Sequence, residues 1–199
     1  MDSAGSADRY LPATIQRPVK ILVLGAFGVG KTTLIGSASE IVPLRTEETM
    51  TVASEGIDDL AGLEGKTTTT VAMDFGRITL SPRIVLYLFG MPGQRRFWEL
   101  WQGLAEGAVG ALVLADTRRL EASFDVLDML ELRQEVLPFA VAVNQFPDSL
   151  HHPPEVLRKA LDLLPGTPVV DCDARDRTSS LSALTTVVEY ALAVQEGIP

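Results

Sequence analysis

Gly25-Ala26-Phe27-Gly28-Val29-Gly30-Lys31-Thr32 decides the reading of this chain. It is a complete G-x-x-x-x-G-K-[ST] loop. Val19-Lys20-Ile21-Leu22-Val23-Leu24 before it is an apolar run of strand length, and Thr33-Leu34-Ile35-Gly36-Ser37-Ala38 after it opens a helix predicted to reach Glu40 or Ile41. A phosphate-binding loop needs that strand–loop–helix context. Glycines let backbone N–H groups turn inward onto a phosphate chain, and the helix points its positive end at the same place. Gly28, Val29, Gly30, Lys31, Thr32 and Thr33 are therefore predicted to bind nucleotide phosphates. Lys31 reaches the β- and γ-phosphates, and the Thr32 hydroxyl is suited to Mg²⁺.

Outward from this loop, strands alternate with helices. Val71 to Ile78 and Arg83 to Phe89 read as an antiparallel hairpin across Thr79-Leu80-Ser81-Pro82. Val109 to Ala115, Phe139 to Val143 and Pro168 to Cys172 read as buried strands. Helices are predicted from about Ser123 to Gln134, from Pro153 to Leu163, and after a cap at Thr178, Ser179 or Ser180. The last carries Leu181, Leu184, Val187, Val188, Ala191 and Leu192 at helical spacing. Residues 43–66, with Pro43, Gly56, Gly62 and Gly65, read as an irregular segment, with a short turn of helix near Asp58-Asp59-Leu60. Alternation of this kind predicts a mostly parallel, six-stranded sheet covered on both faces, with one antiparallel edge strand. The expected organisation is a flexible tail at 1–17 and one domain over 18–199.

The 199 residues carry a net charge of −9. An acidic balance disfavours non-specific binding to nucleic acid or anionic lipid, both of which need Lys and Arg. Cys172 is the only cysteine, which excludes an intrachain disulfide and fits a reducing, cytoplasmic setting. Neither a membrane-spanning run nor a lipidation signal is visible, so any visit to a membrane is expected through partners. His151-His152 is too thin for a metal site, and Asp74-Phe75-Gly76 stands without the other signatures of a protein kinase.

With Gly25 to Thr32, Thr67-Thr68-Thr69-Thr70 and the strand after it, Met91-Pro92-Gly93-Gln94, and Cys172-Asp173-Ala174-Arg175 in view, the chain resembles a Ras-like small GTPase. More narrowly, it resembles the bacterial MglA-type GTPases and those encoded in conservon operons, over nearly its whole length from Val19. The resemblance implies the three-layer P-loop NTPase fold, GTP/GDP and Mg²⁺ as ligands, and slow GTP hydrolysis in a molecular switch. It also implies, as partners, a roadblock-type regulatory protein and a sensor kinase-like protein.

The resemblance assigns further roles. One of the four threonines meets Mg²⁺ and senses the γ-phosphate, and Thr70, taken as directly preceding the strand, is the choice. Gly93 donates its N–H to the γ-phosphate and Gln94 orients the attacking water. Arg95 or Arg96 is either a cis arginine finger or a solvated pair, and the aromatics Phe97, Trp98 and Trp101 either anchor partners or pack under the switch. The family's D-x-x-G-Q aspartate is missing, because Gly90 stands there. Asp74 on the neighbouring strand either supplies that carboxylate or is an ordinary strand aspartate. For the base, the family's N-K-x-D box becomes Asn144-Gln145-Phe146-Pro147-Asp148. Asn144 is in place, Gln145 replaces the lysine that packs over the base, and Asp148 lies one residue late. Asp173 and Ala174 belong to the final box, where the Ala174 N–H is expected to meet the guanine oxygen. The competing readings are a P-loop scaffold that works through protein contacts and a small-molecule P-loop kinase.

Overall fold

The structure, a computed structural model, describes residues 17–52, 67–91, 103–131 and 137–197. Strand β1 (Arg17–Gly25) leads into helix α1 (Lys31–Ala38), followed by β2 (Leu44–Val52), β3 (Thr67–Ser81) and β4 (Ile84–Gly90). Then come β5 (Gly110–Ala115), a 3₁₀ helix (Thr117–Ser123), α2 (Phe124–Glu131) and β6 (Phe139–Asn144). Helix α3 (Pro154–Ala160), β7 (Val169–Cys172) and α4 (Arg177–Gln195) complete the described elements.

One sheet holds all these strands, in the order β2-β3-β4-β1-β5-β6-β7. Strands β4, β1, β5, β6 and β7 are parallel neighbours. Strand β3 runs antiparallel to both β4 and β2. The α/β class, the mostly parallel sheet and the single reversed strand are as expected.

Three details differ. Among the described residues the sheet has seven strands, because Leu44–Val52, read as part of an irregular segment, pairs with β3 from Leu44 opposite Phe75 to Val52 opposite Thr67. The reversed strand is consequently second from the edge. Arg17, read as the last residue of a tail, belongs to β1, and residues 1–16 lie outside the described residues. The expected turn near Asp58 lies outside the described residues.

The strands separate two apolar layers by simple alternation. In β1, Leu22 and Leu24 face one cluster with Val126, Leu127, Leu130 and Leu157 from α2 and α3. Ile21 and Val23 face the other, with Leu34 and Ile35 of α1 and Ala183, Leu184 and Val187 of α4. Strands β5 and β6 are buried at every residue, as expected of parallel strands covered on both sides. Helix α1 stops at Ala38, short of the predicted end, because Ser39 turns to an extended conformation. Helix α4 is capped by Asp176, whose carboxylate accepts from the Ser179 N–H at 2.7 Å, rather than by a hydroxyl in the following Thr-Ser-Ser. Aspartate is as good a cap as serine, and it stands two residues before the first of those hydroxyls.

Candidate nucleotide site

The carboxyl ends of β1, β5, β6 and β7 meet at one edge of the sheet, where α/β folds place their ligands. Strand β1 delivers the glycine-rich loop. Gly30 closes that loop with φ 107° as the residue before α1, a conformation side-chain-bearing residues avoid. A Cβ there would also come within 2.5 Å of the Asn144 Nδ2. Glycine is thus required twice over.

Lys31 folds back onto the loop. Its Nζ donates to the Gly25 and Ala26 carbonyls, both at 2.8 Å. Burial lowers its pKa to about 8, with the charge of Asp74 pulling the other way. Thr32 and Thr33 are both exposed on the first turn of α1. The Thr32 hydroxyl donates to the Asp74 Oδ2 at 2.5 Å.

That contact depends on how closely α1 approaches the sheet. Asp74 on β3 lies directly opposite Gly90 on β4. A Cβ on Gly90 would meet the Ile35 Cδ1 at 2.6 Å and the Asp74 Cβ at 3.1 Å. Ile35 is one helical turn from Thr32 on the same face of α1. By letting Ile35 sink in, Gly90 sets Thr32 beside Asp74. Position 90 leaves no room for a side chain, and the Asp74 carboxylate across the ladder lies against the Thr32 hydroxyl.

Asn144, at the end of β6, is nearly inaccessible and spans two loops. Its Nδ2 donates to the carbonyl of buried Val29 at 2.8 Å, and its Oδ1 accepts from the Ala174 N–H at 3.0 Å. The Ala174 N–H, expected to face the base, is therefore engaged by Asn144. Gln145 turns away, its Nε2 donating to Asp171 on β7 at 3.1 Å. Asp173 is bound by Arg175, with Nε and Nη2 each 2.8 Å from its carboxylate, and this pairing holds its pKa below the usual range. Asp148 is exposed in the turn after β6, where its charge acts on Arg118.

Thr70 is not brought to the site in this conformation. It lies inside β3, paired with Thr49, rather than just before the strand. It stands four positions along the strand from Asp74, about 13 Å. β-branched threonines suit a strand, so the whole run is drawn into the β2–β3 ladder. Gly28 and Gly30 lie in the loop, both with positive φ. Gly93, Gln94, Arg95 and the aromatics up to Trp101 lie outside the described residues.

The sequence reading missed Asp116, Arg118 and Arg119 after β5. Asp116 is 2% exposed and accepts from the Arg118 Nε at 2.9 Å and Nη2 at 2.8 Å. The Arg118 guanidinium lies 3.9 Å from the centre of the Phe146 ring. Arg119 reaches the loop itself, its Nη2 donating to the Phe27 carbonyl at 3.2 Å. The available signal was an acid–base cluster at the end of a fully buried strand.

As a whole, the edge offers a phosphate cradle and, in Thr32 with Asp74, hard oxygen donors of the kind that suit Mg²⁺. No group of three or more His, Cys, Asp or Glu capable of holding a metal occurs among the described residues. This is compatible with Mg²⁺, which keeps waters and phosphate oxygens among its ligands. Among the described residues no helix is long and apolar enough to cross a membrane.

Comparison with known proteins agrees with this geometry. The chain is similar to the G domain of the T. maritima FeoB iron transporter, with a TM-score of 0.55 at 21% identity over 88% of this chain and 99% of that one. That likeness establishes the fold of a P-loop GTPase domain. An uncharacterised protein of Methanocaldococcus jannaschii is 28% identical over 129 residues, 64% of this chain and 70% of its own length. The family model described as a conserved hypothetical ATP binding protein matches residues 23–194. The match runs from within β1 almost to the end of α4, and the chain belongs to that family.

Proposed function

We propose that this protein is a nucleotide-dependent switch of the Ras-like, MglA-type kind, which binds GTP with Mg²⁺ and hydrolyses it slowly. The observation that carries the reading is the conjunction of Lys31, Thr32 and Asp74 at the mouth of a complete phosphate loop. Bound Mg²⁺ would neutralise charge developing on the phosphate oxygens. Thr32 and Asp74 would hold it, Asp74 standing in for the carboxylate absent at Gly90. Gly93 and Gln94 would face the γ-phosphate and the attacking water, with Arg95 beside them. Thr70 would take part only after the first residues of β3 leave their ladder with β2.

The features of the base pocket divide between the two bases. Asn144 and Asp148 support guanine. The family's description as ATP-binding supports adenine, as do Pro147 in the usual aspartate slot and the engaged Ala174 N–H. Partners proposed from the resemblance are a roadblock-type regulator and a sensor kinase-like protein, in the cytoplasm or recruited by them to a membrane.

The second reading is a scaffold with little nucleotide dependence, and it draws on Gly90, where the carboxylate of the D-x-x-G-Q pattern is missing, and on Gln145 and Pro147, which alter the base box. Titration of fluorescent GDP, GTP and ATP analogues with and without Mg²⁺, using Lys31→Ala as control, separates the two. The switch reading expects Mg²⁺-dependent, guanine-selective binding that the variant loses. Equal or absent binding of both bases supports the scaffold.

A further inference from the structure

Three successive carbonyls of the phosphate loop are held by cations. Lys31 takes those of Gly25 and Ala26, and Arg119 takes that of Phe27. Arg119 comes from the 3₁₀ helix after β5 and is its one non-helical residue, at φ −148° and ψ 53°. Its Nε lies 3.7 Å from the Asp116 carboxylate, which is itself nearly inaccessible, while the Arg119 side chain stays 48% exposed. The guanidinium overhangs the loop: a Cβ built on Gly28 has the Arg119 Nη2 as its neighbour at 3.7 Å.

This placement is more than a surface contact. A guanidinium carries five N–H donors in a planar fork that matches phosphate oxygens, and Phe27 accepts from one of them. Gln145, in the β6 loop, turns to Asp171. Asp116 fixes the base of the fork without covering it. We infer that Arg119 is a second phosphate-binding cation, reaching the β- or γ-phosphate of a bound nucleoside di- or triphosphate across Gly28. This inference rests on the nucleotide-binding reading of the same site.

The test is competition for a fluorescent nucleoside diphosphate on the full chain with Mg²⁺. Competitors are the mono-, di- and triphosphates of the preferred base, and the proteins are wild type, Arg119→Gln and Arg119→Lys. The expected result for Arg119→Gln is a loss of about ten- to a hundredfold for the di- and triphosphate, the range of a charged hydrogen bond. The monophosphate should change less than about twofold, and Arg119→Lys should recover part of the loss. Equal weakening of all three competitors would mean that Arg119 only props the loop through Phe27, and would overturn the inference, as would unchanged affinity. If Arg119→Gln does not fold, the same comparison of competitors on Arg119→Lys decides between these outcomes. If wild type binds no nucleotide, the underlying reading falls as well; if it binds and Arg119→Gln matches it, only this inference falls.

Discussion

Gly90 shows how far single residues were legible. Its departure from the D-x-x-G-Q pattern was visible in the chain, and so was Asp74 on the neighbouring strand, read as either a substitute carboxylate or an ordinary strand aspartate. What sequence could not supply was the steric reason, which lies in Ile35, a residue 55 positions earlier. An aspartate at position 90 would drive its Cβ into Ile35 and bring a second carboxylate towards the Asp74 Oδ2, 3.5 Å from that Cβ. Overpacking of a buried site costs about 1–3 kcal/mol, and like charges brought close together add to it. Gly90→Asp is therefore expected to lower stability by about that much in urea unfolding. Combining it with Asp74→Ala should remove the charge conflict, so the double variant should be more stable than the two single losses added together. Strict additivity would show that the two sites do not share space. The Asp116, Arg118 and Arg119 cluster was illegible for a related reason. Its meaning depends on β5 lying beside β1, a crossover that brings Arg119 to a loop 92 positions away.

Elements with strong apolar periodicity were read correctly, and those shaped by polar residues were not. Strand β2 reads Leu-Arg-Thr-Glu-Glu-Thr-Met-Thr-Val, too polar to stand out, because at the sheet edge it needs no buried face on both sides. The cap of α4 was displaced because Thr178, Ser179 and Ser180 all have the right chemistry, while Asp176 wins by position. The residue after that cap links two helices. Arg177 Nη1 donates to the carbonyls of Ser37, Ala38 and Ser39, at 3.0, 2.7 and 3.2 Å, at the end of α1. A cation in the first turn of α4 is unfavourable for that helix, but the same charge sits at the negative end of α1. The hydroxyls of Ser37 and Ser180 meet at 2.8 Å beside it. Arg177→Ala should cost about 1–2 kcal/mol, the worth of charged hydrogen bonds at a partly exposed helix end. Chemical denaturation measures the loss, and amide exchange should rise first in the last turn of α1. Exchange unchanged there would mean that the apolar packing of Leu34 and Ile35 on Ala183, Leu184 and Val187, with the Ser37–Ser180 contact, holds the two helices without Arg177.

At the scale of the whole molecule, the sheet order turns four distant loops into one edge, and buried side chains hold that edge together. Asn144 joins the loop after β1 to the turn after β7. Asp116 joins the end of β5 to Arg118 and Arg119, and through Arg119 to Phe27. The Arg118 hydrogen bonds hold the Asp116 carboxyl below its usual range despite the opposing effect of burial. A carboxylate with a lowered folded-state pKa adds stability above its unfolded pKa, near 4, and loses it as pH falls through the folded value. The molecule should therefore weaken in acid partly through this residue, and the phosphate loop should loosen with it as Arg119 is released. Asp116→Asn isolates the effect. It removes the charge but keeps one acceptor, so it should lose about 1–2 kcal/mol at neutral pH. The gap from wild type should narrow as pH falls below about 4, because protonation gives the wild type the same neutral side chain. Urea midpoints at pH 7, 5, 4 and 3 for both proteins make the comparison. A gap that stays constant across the series would mean that Asp116 acts through shape alone, with no contribution from its charge.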